Sequence, residues 1–147
     1  MTFSELNKVR ELKKEIEVEQ KKLKALKIVI GALPHKYGQS EEGGVAEGTG
    51  KSPFESFTIQ IADTEKKIEK LQQELTQAVP RLTEKIQNEV ANTDEQTLLI
   101  YRYVACKFFR DIGFLMGYSE RRVYQVHEQI LKRLQSISVD YSRQSVL

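Results

Sequence analysis

Residues 112–134 read IGFLMGYSERRVYQVHEQILKRL. Two apolar periodicities are separated here by a glycine and a serine. Ile112, Leu115 and Met116 fall at helical spacing, and Val123, Val126, Ile130 and Leu134 recur at the three- and four-residue steps of one buried stripe. Between them Gly117 is the residue best suited to a left-handed backbone where a helix must stop. Tyr118 stands as a hydrophobic plug, and Ser119 as an N-cap whose oxygen accepts from open N–H groups of the following turn. The pattern predicts two helices joined by a tight turn, a helix-turn-helix.

At about 100° per residue, the face of the second helix opposite its apolar stripe holds Arg121, Gln125, Glu128 and Lys132, with Arg122 and Tyr124 on the flanks. These side chains suit DNA. Arg forks onto guanine, Gln onto adenine, Glu accepts from cytosine, and Lys and Tyr hold phosphates. Any solvated amphipathic helix shares part of this periodicity, but the conjunction of stripe, turn glycine, cap and second stripe is long. Ser119, Glu120, Arg121, Arg122, Tyr124, Gln125, Glu128 and Lys132 are therefore the expected contacts with double-stranded DNA. Lys107 and Arg110, before and inside the first motif helix, are expected to touch phosphates.

A chain of 147 residues with 39% apolar and 30% charged residues holds one ordinary domain or a small domain with an appendage. The net charge of +2 is too small to argue for nucleic acid by itself. Its distribution says more. From residue 102 to 133 seven cations (Arg102, Lys107, Arg110, Arg121, Arg122, Lys132, Arg133) face three acids (Asp111, Glu120, Glu128), a local excess of +4. Cys106 is the single cysteine, so no disulfide forms within the chain. The opening MTFSELNKVRELKK has no signal-peptide hydrophobic core, and no apolar run approaches the roughly 20 residues of a membrane span. A cytoplasmic location without membrane contact is expected.

Upstream, Val9, Leu12, Ile16, Leu23, Leu26, Ile30 and Leu33 fit one heptad seam, broken only by Glu19. A second heptad runs from Phe54 through Ile61, Ile68, Leu75 and Leu82, with Phe57, Thr64, Leu71 and Ala78 between them. Each seam needs a partner helix, and the pairing could be within the chain, as an antiparallel hairpin, or between chains. Together the seams offer more apolar stripe than one hairpin covers, so a homo-oligomer is expected. Pro80 should kink the second helix. The stretch between, with GQSEEGGVAEGTGKS at 38–52, reads as a flexible loop of about residues 36–53. Its GTGKS lacks the P-loop glycine, because Val45 stands there and no strand precedes it. Thr93, with Gln96 three residues on, reads as the cap of a new helix carrying Leu98, Leu99, Tyr101 and Tyr103.

The expected fold is all-α: a coiled-coil-like helical hairpin over 1–91, a helix-turn-helix domain over 92–136, and a fraying tail over 137–147. A fragment from about residue 92 should then fold alone. His35, His127 and Cys106 have no zinc-ligand spacing, and no nucleophile–base pair or carboxylate pair is legible, so neither a metal, a cofactor nor an enzyme is expected. His127 reads as a packed residue at the core edge.

LLIYRYV followed by FFRDIGFLMGYSERRVYQVHEQILKRL, behind a charged coiled-coil-like N-terminus, resembles the small phage- and prophage-encoded transcription regulators of the autolysin-regulator (ArpU-like) and late-gene-activator type. Their C-terminal module is similar to region 4 of bacterial sigma factors. The resemblance is carried by residues 117–134 with Arg102 and Tyr103, about a third of the chain. Gly113, Phe114 and Leu115 depart from the family's usual alanine and two polar residues. The resemblance implies a DNA-binding regulator whose N-terminal helices serve oligomerisation or partner binding. The alternative it implies is a sigma-like or adaptor protein acting through RNA polymerase or another regulator, which the apolar Phe114 and Leu115 favour.

Overall fold

The computed structural model describes residues 1–34 and 52–146, with side-chain surroundings through 135. His35 and all but the last two residues of the expected loop lie outside them. Every described element is helical: α1 (Phe3–Leu6), α2 (Lys8–Ala32), α3 (Pro53–Glu89), α4 (Thr93–Leu99), a π-helical segment (Ile100–Val104), α5 (Phe109–Met116) and α6 (Glu120–Val146).

Local chemistry sets the helix starts. Thr2 and Glu5 form a reciprocal capping box on α1, with both bonds at 3.1 Å. Ser52 accepts from Glu55 N at 3.1 Å with Pro53 at the first helical position, where a missing N–H costs nothing. α4 is capped one residue earlier than the sequence suggests. Asn92 Oδ1 accepts from Glu95 N at 3.1 Å, and Gln96 turns back to the Val90 carbonyl instead of closing a box with Thr93. At the other end α6 continues as helix to Val146, so the backbone of the expected fraying tail is helical. Pro80 lies inside an unbroken 37-residue α3.

The chain divides into two compact units, Met1–Lys13 with Glu74–Leu147, and Lys14–Gln73. This differs from a boundary at residue 91. In the first unit Leu6 and Val9 at the N-terminus bury together with Leu82, Ile86 and Val90 of the α3 end, and with Leu99, Tyr103 and Ile130. The last turns of α3 thus belong to the core under the C-terminal helices. A second cluster of Leu98, Ile112 and Val123 lies under the motif. Val126 and Leu134 pack partly buried against the first cluster, completing the expected α6 stripe. Leu115 is the exception on α5: it is 53% exposed, while Met116 packs partly buried.

In the second unit Ile16, Ile68 and Leu71 are buried along the seams. Glu19, the residue that interrupts the first seam, is buried as well, and Lys67 of α3 reaches it at 3.0 Å. In each unit the two seams meet inside the chain, residues 6–9 with 82–90 in the first and Glu19 with Lys67 in the second.

Since Leu6, Val9, Leu82, Ile86 and Val90 close the core that holds Ile130, a fragment beginning at residue 92 should not fold alone. Circular dichroism of that fragment should show little helix and no cooperative melt, whereas the full chain melts cooperatively. A cooperative melt of the fragment would restore the sequence-based division.

Candidate nucleic-acid interface

α5 ends where the sequence places its stop. Gly117 has φ 74°, and its N–H and that of Tyr118 both bond to the Gly113 carbonyl, the latter at 2.8 Å. The turn folds back so tightly that a Cβ on Gly113 would sit 2.7 Å from the Tyr118 carbonyl oxygen. This gives a physical reason for glycine at position 113. Ser119 then accepts from Arg122 N at 3.1 Å and starts α6. Its hydroxyl oxygen is engaged as a cap.

Arg121, Gln125, Glu128 and Lys132 are all exposed along one side of α6, with Val123 and Ile130 fully buried on the other. The structure therefore brings these four expected contacts onto one face. Glu128 and Lys132 pair at 3.4 Å, both more than two-thirds exposed, so this is a loose surface pair. Glu120, the first residue of α6, is exposed, as is Arg122, whose guanidinium lies 4.9 Å above the Tyr118 ring. Arg110 is exposed on α5 and lines a shallow groove with Gly113, Phe114, Gly117, Tyr118 and Glu120. Lys107 is exposed in the turn before α5. Of the +4 excess counted in the sequence, Arg133 is bonded to Glu95 and Arg102 is drawn inward.

Beside this exposed face of α6 stands an aromatic group whose wiring the sequence does not disclose. Phe109 sits 4.4 Å from the Tyr124 ring, 4.8 Å from the His127 ring and 4.0 Å under the Arg102 guanidinium, centroid distances within stacking and cation–π range. Tyr124 is thereby steadied on one side and 51% exposed on the other. The Tyr103 hydroxyl and His127 Nε2 share a hydrogen bond at 2.6 Å, with the imidazole tautomer deciding which of them donates. Burial, and then the charges of Arg102 and Arg10, lower the His127 pKa to about 4; burial likewise raises that of Tyr103. Arg102 NH1 donates to the Lys107 carbonyl at 3.1 Å, and Lys13 Nζ to that of Val104 at 3.1 Å. Between those carbonyls Cys106 takes φ 58°, a rare conformation for a side-chain-bearing residue.

Among the described residues no three His, Cys, Asp or Glu side chains converge as a metal would need, and no helix is long and apolar enough to cross a membrane. Comparison with models of known protein families, with curated proteins and with solved structures gives no match.

Two outcomes follow from this geometry. Gly113→Ala should destabilise the protein by about 1–3 kcal/mol, because overpacking against backbone outweighs the helix propensity of about 1 kcal/mol that alanine brings. Denaturant titration would show it, and a stabilised variant would refute the close approach.

For His127 the folded pKa of about 4 lies below the ordinary 6.5, so the native state binds the proton more weakly. The neutral form's contribution is fully present above pH 6.5 and is lost as pH falls toward 4. Allowing for solvent screening of this partly exposed ring, the loss is about 1–2 kcal/mol. Unfolding midpoints at pH 7 and pH 4.5 should differ less in His127→Gln than in the unsubstituted protein.

Proposed function

We propose that this chain is a sequence-specific DNA-binding transcription regulator of the phage and prophage type that its motif resembles, with residues 119–132 entering a major groove. The observation that carries the reading is the single exposed face of Arg121, Gln125, Glu128 and Lys132. It lies on a helix anchored by Val123 and Ile130 and started at a glycine turn that admits no side chain at residue 113. One such module makes too few contacts for tight specific binding, so two copies act on two half-sites. With the seams paired inside the chain, Val18, Ile28, Val29, Phe54 and Ile59 are the exposed apolar residues of the long helices on which an oligomer or a partner can draw.

A second reading rests on Phe114, 79% exposed, and Leu115 beside it. Exposed apolar side chains on the first motif helix suit a docked protein, which makes the chain an adaptor acting through RNA polymerase or another regulator.

Arg121→Ala and Gln125→Ala should leave folding within about 0.5 kcal/mol, as for other solvated side chains. Each should weaken binding to an operator selected from parent-genome fragments by about 1–3 kcal/mol, and one base position should become degenerate. Titrations on that operator and a scrambled duplex decide the matter. Unchanged DNA affinity in both variants, with transcription lost in Phe114→Ala, would replace the groove reader by the adaptor.

A further inference from the structure

The turn between the π-helical segment and α5 gathers cations from distant parts of the chain. Lys107 is exposed on it; Lys13 and Arg10, from the first turns of α2, are partly buried, and Lys13 bonds to the turn's Val104 carbonyl. Arg102 lies beneath, stacked on Phe109 and bonded to the Lys107 carbonyl. Among the described residues none of the four pairs with a carboxylate, and Arg10 bonds to the Asn7 amide oxygen.

This concentration of like charge is costly as it stands. Arg102 Nε is buried without a hydrogen-bond partner, and burial together with the charge of Arg10 lowers the pKa of that guanidinium. The same turn opens α5. Phe108 provides no side-chain cap there, and Asp111 is the one acid in the first turn of that eight-residue helix. Cations without a carboxylate partner, carried on the turn and on the α2 turns bonded to it, beside a helix start without a side-chain cap, are complementary to a phosphate group.

We infer that this turn is a DNA-backbone clamp in which Lys107, Lys13 and Arg10 hold a phosphate beside the reading helix, while Arg102 positions the turn that presents them. The inference rests on the DNA-binding reading above and extends it to the N-terminal helix, far outside the motif. The clamp fixes the orientation of α6 on the duplex and carries no sequence preference. Tyr124 of α6 is held against Phe109, the ring on which Arg102 stacks.

The test is the salt dependence of DNA binding by the full-length chain, on the selected operator and on a scrambled duplex. Lys13→Gln, Arg10→Gln and Lys107→Gln should each weaken both duplexes alike and reduce the slope of log K against log salt by about one. Lys13→Arg should keep the slope of the unsubstituted protein, and Lys24→Gln, on an exposed part of α2, should leave it unchanged. Among the described residues Lys107 has no side-chain partner to lose, so its variant folds even if the Lys13 and Arg10 variants do not. Slopes unchanged in the glutamine variants, with the unsubstituted protein binding DNA, would overturn the clamp and leave the groove reader standing. An unsubstituted protein that binds no duplex would overturn both.

Discussion

The burial of Ile130 by residues from both ends of the chain is the constraint on which the interface depends. Ile130 is 1% exposed, and it is enclosed by a cluster whose members include Leu6 and Val9 from the first ten residues and Leu82, Ile86 and Val90 from the end of α3. A motif of some 45 residues has too little interior to hold a helix rigidly, since small domains leave a large share of their apolar surface in water. The N-terminal turns and the α3 end supply the missing interior. They thereby help to set how α6 presents Arg121 and Gln125, although neither segment touches the exposed face of that helix.

What could be read from the sequence was what depends on near neighbours. The αL stop at Gly117, the cap at Ser119 and the alternation of Val123 and Ile130 with Arg121 and Gln125 all arise within a few residues, and each stands where its spacing places it. The capping of α3 by Ser52 was equally local and could have been found from Ser-Pro followed by Glu55. The unit boundary could not. Heptad spacing reports that Val9 and Leu82 need a partner but not that they share one core with Tyr103 and Ile130. The bond from Lys13 to Val104 spans 91 residues, and nothing in the pattern around either residue announces it. The cap of α4 illustrates a finer limit: Asn92 and Thr93 are both good caps, and only the pull of Gln96 toward the Val90 carbonyl separates them.

The two functional readings use different sides of the same motif. The polar side of α6 suits bases and phosphates; Phe114 and Leu115 on α5 suit protein. Gly113 ties the two together. It lets the turn close against α5, which keeps α6 near enough for Phe109 to support Tyr124, and it sits next to the most exposed aromatic residue of the motif. A regulator that reads DNA with one helix and meets a second protein with the preceding one would need this closeness, because both contacts then fall at one point on the duplex.

Glu19 gives the paired long helices a means of alignment. Apolar heptads tolerate sliding by seven residues, since one leucine substitutes for another at the seam. A buried carboxylate does not. Moving α3 by one heptad would carry Lys67 about 10 Å along the axis, leaving Glu19 in the interface without the ammonium that reaches it at 3.0 Å. The interruption of the seam thus works as an index mark: among the near-equivalent ways of laying the two helices of this unit against each other, it singles out one register.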